Sequence, residues 1–237
     1  MSNLNISIIG YGKMGKLINE IATQRGIDVV SIVDPEYVQG YKEISEKSVG
    51  PADVCIDFTT PHVVVDNIKK LIILGKNIVV GTTQWDNHLD EIRNLVEQSD
   101  IGLVYTPNFS YGGNAYFQLV SNASEILGDN GKYDASGHEI HHKRKLDAPS
   151  GTARELERII TENFGKETHF SSQRLGYFPG THITTFDSED DTIQIIHTAK
   201  NRKGFAHGAL LAAEFIKDKK GFYDPEYFRK YLLGERK

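Results

Sequence analysis

A single cysteine, Cys55, stands in a chain of 237 residues. A framework of internal disulfides is thereby excluded, and a reducing compartment suits the chain. A large excess of either charge is missing too: 27 Lys and Arg stand against 32 Asp and Glu, for a formal net charge of -5. No global basic field draws such a protein to nucleic acid or to an anionic membrane. No apolar run reaches the length of a membrane span. The N-terminus shows no basic n-region followed by a long apolar stretch. These absences predict a cytoplasmic protein with no nucleic-acid partner and no membrane partner. Internal repeats and low-complexity segments are absent as well. With 39% hydrophobic and 25% charged residues, the composition is that of a globular chain, sized for one large domain or two small ones.

What is present begins with a short apolar run, Asn5 to Ile9, that ends in Gly10-Tyr11-Gly12-Lys13-Met14-Gly15. Leu17, Ile18, Ile21 and Ala22 follow at helical spacing, and a second apolar run, Val29 to Val33, ends at Asp34. Strand, G-x-G-x-x-G, helix, strand and terminal acid in that order predict a dinucleotide site. The glycines let the backbone approach a pyrophosphate, the helix start offers free N–H groups, and Asp34 accepts from a ribose 2′-hydroxyl. Asp34 would repel a 2′-phosphate, and Pro35 stands where a phosphate-clamping arginine could. Lys13 and Lys16 supply cations beside the loop. Either NADH or NADPH is compatible, and dual use is the expectation.

From Pro35 to Pro51 the chain is polar and has room for little more than one short helix. Strands are then expected over 53–58, 77–80 and 101–105, alternating with helices over 62–75 and 86–98. This pattern predicts a parallel sheet. Thr59-Thr60-Pro61, Gly81-Thr82-Thr83 and Thr106-Pro107-Asn108-Phe109-Ser110 end those strands, on the edge where such sheets bind ligands. After Asn108 the character changes. One helix over 111–128, a strand-like stretch from Tyr133 to Lys143, a helix over 152–164 and a hairpin, Thr181 to Phe186 with Thr192 to Ala199, predict an α+β unit with an antiparallel sheet. An apolar helix over 205–216 and a short aromatic helix containing Tyr227, Phe228 and Tyr231 close the chain.

The densest chemistry lies in the second half. His138, Glu139, His141, His142, Lys143, Arg144, Lys145 and Asp147 crowd together ahead of Pro149-Ser150-Gly151-Thr152. His138-Glu139-x-x-His142 satisfies H-E-x-x-H, a zinc pattern that requires a helix. No apolar helical stripe spans the segment. On a strand, Glu139 and His141 point one way and His138, Ile140 and His142 the other, so no metal is expected. A proton-handling pair, His141 and Lys145, is the better reading, because both side chains are tunable toward neutral pH. His142 and Lys145 can also meet an anionic substrate. The helix start at Gly151-Thr152 can hold a carboxylate, with Thr152-x-x-Glu155 as a possible capping box.

At these residues the chain resembles the dihydrodipicolinate reductase (4-hydroxy-tetrahydrodipicolinate reductase) family. The block Glu139-Ile140-His141-His142, Lys145, Asp147-Ala148-Pro149-Ser150-Gly151-Thr152-Ala153 carries the resemblance. Gly81-Thr82-Thr83, Asn108-Phe109-Ser110, Arg174-x-Gly176, Gly180-Thr181-His182, His197-x-Ala199 and Phe205-Ala206-x-Gly208-Ala209 extend it over nearly the whole chain. The glycine loop is one residue shorter than the family's G-x-x-G-x-x-G forms.

The resemblance implies a Rossmann-type parallel-sheet nucleotide domain, 1–107 with 208–237. It implies an α+β substrate-binding and oligomerisation domain with a mainly antiparallel sheet, 108–207, and a hinge near 106–110 and 206–208. It further implies a homotetramer, and NAD(P)H-dependent reduction of a small cyclic imine dicarboxylate in lysine biosynthesis. Carried over, His141 is the proton donor/acceptor and Lys145 the proton donor, while His142, Gly151 and Thr152 bind substrate. The loop Gly10, Tyr11, Gly12, Lys13, Met14 and Gly15, with Asp34, Gly81, Thr82, Thr83, Thr106, Pro107, Asn108 and Phe109, binds the dinucleotide. The rival readings are another two-domain amino- or imino-acid dehydrogenase and a non-catalytic dinucleotide sensor.

Overall fold

The computed structural model describes residues 4–128 and 131–234. Residues 1–3, 129–130 and 235–237 fall within the expected domain ranges but lie outside the described residues. The elements run β1 (Asn5–Ile9), α1 (Lys13–Gln24), β2 (Asp28–Val33), α2 (Glu46–Val49), β3 (Val54–Asp57), α3 (Val64–Ile73), β4 (Asn77–Val80), α4 (Leu89–Glu97) and β5 (Gly102–Tyr105). There follow α5 (Tyr111–Gly128), β6 (Asp134–His141), α6 (Gly151–Phe164), β7 (Phe170–Arg174), β8 (Thr181–Asp187), β9 (Thr192–Thr198), α7 (Lys203–Ile216), β10 (Gly221–Tyr223) and α8 (Pro225–Leu232). No described helix is long and apolar enough to cross a membrane.

The chain divides into two compact units, one containing residues up to Ser110 and from Lys203 onward, the other Tyr111–Arg202. The divisions expected at 107–108 and 207–208 fall short of Ser110 and inside α7. Ala206, Ala209 and Leu210 of α7 belong to one core cluster with Ile6, Ile8 and Ile56, which draws the whole helix into the first unit.

The first unit is a six-stranded sheet in the order β10-β5-β4-β3-β1-β2, parallel throughout. Every residue of β3 and β5 is buried, as in a sheet covered on both faces. Successive residues of one strand enter different cores. Ile8, Val54, Ile56 and Val79 join α1 and α7, whereas Ile9, Cys55, Ile78 and Val80 join α3 and α4. The helices bury stripes at helical spacing: Ile18, Ile21 and Ala22 on α1, Val64, Ile68 and Leu71 on α3. Between β2 and β3 there is room for the single turn of α2 and one isolated bridge, Val33 to Tyr41. The strand order reverses at β1, which has β2 on one side and β3 on the other. That reversal opens a crevice at the carboxyl ends.

The second unit carries a four-stranded sheet in the order β7-β6-β8-β9. The pairs β6–β8 and β8–β9 are antiparallel, and β6–β7 is parallel. The sheet is therefore mixed, with antiparallel pairing in the majority. β7 and β10 were not expected; β7 reads Phe-Ser-Ser-Gln-Arg with little apolar alternation, and β10 is three residues long. α5 and α6 cover one face, meeting Phe170 and Phe186 with Tyr116, Phe117, Val120, Leu156 and Ile160. Along that face the apolar pair Ala135–Phe186 is followed by Gly137–Thr184 and then Glu139–His182. The hydrophobic core thus grades into a polar end.

Candidate active site

At the crevice of the first unit, α1 begins at Lys13 with Gly12 as its N-cap, which provides no side-chain acceptor. The first helical hydrogen bond runs from Lys16 N–H to Gly12 O at 3.1 Å. The N–H groups of Lys13, Met14 and Gly15 therefore have no intrahelical acceptor and present a partial positive charge to an anion. Two glycines make the turn possible. Gly10 has a φ of +87°, and a Cβ there would meet Phe58 O at 2.5 Å; a Cβ on Gly15 would collide with Gly10 O. A cleft of about 480 Å³ lies beside this helix start. Gly12, Lys13 and Met14 line one side, Phe58, Thr59 and Pro61 another, and Gly81, Thr82, Thr83 and Gln84 the third.

Asp57, fully buried at the end of β3, fastens two of those walls together. Its Oδ1 accepts from Thr59 N (3.1 Å), Thr59 Oγ1 (2.7 Å) and Thr82 Oγ1 (2.9 Å), and its Oδ2 accepts from Asn67 Nδ2 (2.9 Å). Trp85 Nε1 donates to Thr82 O at 2.7 Å. Phe58, Gln84 and Asp57 were not foreseen. Gln84 is the one non-glycine residue with positive φ among the described residues.

Asp34 sits at the end of β2. Its Oδ2 accepts from Tyr11 N at 2.6 Å and its Oδ1 from Glu36 N at 2.8 Å. Partial burial pushes the carboxyl up, but the backbone N–H groups of Tyr11, Glu36 and Tyr37 and the charge of Lys42 leave it below its ordinary value. The aspartate ties the glycine loop to the β2 edge, and its two oxygens can accept further hydrogen bonds. Lys42 Nζ donates to Pro35 O (3.0 Å) and Tyr37 O (2.8 Å) close by. Of the 106–109 segment, Thr106, Asn108 and Phe109 are buried and Pro107 is exposed. The Phe109 ring packs on Phe58 and Phe228 as core, so this residue offers a ligand only its backbone.

In the second unit, β6 delivers Glu139 and His141 to the buried face, as strand alternation requires. The helix that H-E-x-x-H needs is absent. Glu139 has no solvent exposure, and three donors hold its Oε1: Ser150 N (3.1 Å), Ser172 Oγ (2.8 Å) and Arg174 Nη2 (2.9 Å). Its Oε2 lies 3.3 Å from His141 Nδ1 and 3.4 Å from His182 Nε2, contacts too poorly aligned for full hydrogen bonds. Sheet register makes the cluster: Glu139 is opposite Ser172 on β7 and His182 on β8.

Burial drives the Glu139 carboxyl up, yet the close His182 imidazole and the hydrogen bonds from Ser150, Arg174 and Ser172 overcome it and hold the group far below the usual carboxylate range. Burial also dominates at His141. Glu139 opposes it, but the charges of His182, Lys145 and Arg174 add to it, and the imidazole falls to about 4. Glu139, His182 and Arg174 received no role from the sequence.

The loop after β6 carries Lys145, whose Nζ is 2.9 Å from Asp147 Oδ1. Arg174 Nη2 also donates to Asp147 O at 2.5 Å, pinning that loop to β7. His142 is half-buried, and its Nδ1 has no hydrogen-bond partner. The cap of α6 is Ser150, not Thr152: Ser150 Oγ accepts from Ala153 N at 3.2 Å. The expected Thr152–Glu155 box does not form, because Gly151 is already helical and Glu155 pairs with Arg158 at 2.8 Å. The first helical bond is Arg154 N–H to Ser150 O at 2.9 Å. With Ala153 N–H taken by the cap, the N–H groups of Gly151 and Thr152 are left for a carboxylate.

Glu139, His141 and His182 also present ligating atoms within 4.8 Å of one another. The set suits a divalent cation poorly, because Arg174 already neutralises the same carboxylate and His182 Nε2 also contacts Ser150 Oγ at 3.2 Å.

Two family descriptions match the chain: dihydrodipicolinate reductase, N-terminus, over residues 4–109, and dihydrodipicolinate reductase, C-terminus, over residues 112–228. The 4-hydroxy-tetrahydrodipicolinate reductase of Christiangramia forsetii is 35% identical over 232 residues, covering 93% of this chain and 95% of the relative. That of Thermosipho africanus is also 35% identical, over 224 residues, with the same two coverages. Among solved structures, the dipicolinate-bound dihydrodipicolinate reductase of Paenisporosarcina sp. TG-14 superposes with a TM-score of 0.77 at 23% identity, covering 94% of this chain and 97% of that one.

Proposed function

The chain belongs to the dihydrodipicolinate reductase family, and from that premise we propose how its residues divide the work. The protein is an oxidoreductase of diaminopimelate and lysine biosynthesis that reduces 4-hydroxy-tetrahydrodipicolinate to tetrahydrodipicolinate with NAD(P)H. The nicotinamide, when bound, supplies the hydride.

The first unit is the dinucleotide-binding domain. Gly10 to Gly15 and the α1 start take the pyrophosphate, Asp34 the ribose, and Gly81, Thr82 and Thr83 with the Thr106–Phe109 backbone the remaining length. Dual use of NADH and NADPH is supported by Asp34, which suits a 2′-hydroxyl, standing beside Lys42, whose charge suits a 2′-phosphate.

The second unit is the substrate-binding and oligomerisation domain. Hydride addition to an unsaturated imine leaves a basic intermediate that needs a proton, and His141 and Lys145 exchange and donate it. The Gly151 and Thr152 N–H groups, with His142 and Lys145, bind the carboxylates. The observation that carries this reading is His141, buried beside a fixed carboxylate at the end of a strand whose loop presents Lys145. The half-exposed isoleucines Ile193 and Ile196 of edge strand β9 support pairing of these sheets in a homotetramer. No metal takes part, since Arg174 already neutralises the Glu139 carboxylate that would anchor one. The protein works in the cytoplasm, in keeping with its lone buried thiol.

The test is reduction of the aldolase-derived imine, followed by nicotinamide absorbance with NADH and NADPH in parallel. Substrate-dependent oxidation of both is expected. Cofactor binding without turnover would identify a sensor instead, and turnover only on an amino- or imino-acid substrate would identify another dehydrogenase.

A further inference from the structure

We propose that Glu139 is a positioning residue that fixes the His141 ring and its tautomer, keeping a proton on Nδ1 and leaving Nε2 as the nitrogen that works on the substrate. The proposal rests on the assignment of His141 as the acid–base group.

Three observations carry it. The Glu139 carboxylate cannot rotate, because donors from the α6 cap, β7 and the Arg174 guanidinium all converge on Oε1. The other oxygen, Oε2, is buried, has no well-aligned donor and stands between His141 Nδ1 at 3.3 Å and His182 Nε2 at 3.4 Å. An ionised carboxylate only accepts, so an imidazole nitrogen facing it is favoured as N–H. On the far side of the ring there is room: a Cβ on Gly180 would stand 2.9 Å from His141 Nε2, so the glycine clears the space at that nitrogen.

The charged groups facing His141 are Glu139 on its own strand, His182 on β8, Arg174 on β7 and Lys145 on the following loop. Glu139 alone among them favours the imidazolium. It therefore both orients the ring and keeps the protonated form within reach. The 3.3 Å contact is long for a hydrogen bond, as acid–base contacts often are before substrate closes on them.

Glu139→Gln tests this, because the amide oxygen can keep the three Oε1 donors while its NH2 turns toward His141. Nδ1 must then accept, and the proton moves to Nε2. Ring ¹⁵N spectra of the substrate-free protein should show His141 protonated at Nδ1 in the wild type and at Nε2 in E139Q. Turnover should fall at least about tenfold, and the limb of the pH profile governed by His141 should move to lower pH. NADH affinity should stay within about twofold. Glu139→Asp, which retains the charge, should restore the Nδ1 tautomer and part of the turnover.

An Nε2-protonated His141 in the wild type overturns the proposal even if E139Q fails to fold. So does an E139Q protein with wild-type tautomer or wild-type turnover. If His141→Gln turns over normally, the assignment of His141 fails instead, while the tautomer result still reports on Glu139.

Discussion

The two sites are built from different materials. The cleft of the first unit is made of glycines, helix-terminal N–H groups and threonines, and the titratable group that shapes it, Asp57, is spent on internal hydrogen bonds. The site of the second unit is made of titratable side chains drawn together around one buried carboxylate, on which two imidazoles and a guanidinium converge. A dinucleotide demands shape and N–H donors, which backbone supplies with little charge to desolvate. Proton transfer demands groups whose ionisation can be moved, which only side chains in a tuned environment supply. Damage to the first site should therefore appear mainly in cofactor affinity. Damage to the second should appear in turnover and in pH dependence.

The strongest way to break that contrast is His141→Gln or Lys145→Ala. Each should lower kcat by about 10²- to 10⁴-fold while the NADH dissociation constant, read by nicotinamide fluorescence, stays nearly unchanged. A parallel loss of NADH affinity would erase the distinction between the sites. Gly15→Ala is the reciprocal experiment. Its methyl must displace Gly10 O, so stability should fall by about 1–3 kcal/mol and NADH affinity with it. The His141 limb of the pH profile should not move.

Acid should separate the units by a third route. Folding lowers the His141 pKa from 6.5 to about 4. The unfolded chain therefore binds the extra proton in that window, and stability present above pH 6.5 is lost as pH falls toward 4. The Glu139 contribution is lost only lower, as pH drops below the ordinary carboxylate range. Urea midpoints across pH 7 to 4 should fall in the wild type and fall less in His141→Gln. The smallest effect belongs to Asp34→Ala. It should shift the NADH-to-NADPH ratio of kcat/KM toward NADPH by about tenfold or less, in line with loss of one hydrogen-bonding charge, and an unchanged ratio would remove Asp34 from the ribose.

Much of this was legible in the residues. The parallel block was, because strands buried on both faces read as apolar runs and their helices as stripes. The strand placement of His138 to His142 was, because alternation without a helical stripe leaves no other regular geometry. What escaped is what depends on distant partners. Glu139 meets donors 11, 33 and 35 residues away, and no local pattern announces them. The cap escaped for a subtler reason. Ser150 and Thr152 are both good N-cap residues, and the choice is made by Ser150 N–H bonding to Glu139, a tertiary contact. β7 was hidden because Ser171, Ser172 and Gln173 are exposed and Arg174 is half-buried, leaving Phe170 as the single buried position.

The convergence on Glu139 also sets an order of assembly. In a chain made from its N-terminus, the carboxylate comes first, and Ser150, Ser172, Arg174 and His182 follow in turn. Until β8 has emerged, Oε1 can meet its three donors but Oε2 lacks His182 and β6 lacks its antiparallel neighbour, so β6 cannot settle into its final place. The last strand to touch Glu139 thus completes the hydrophobic face and the reactive one in the same event, and a nascent chain halted before residue 182 should hold neither.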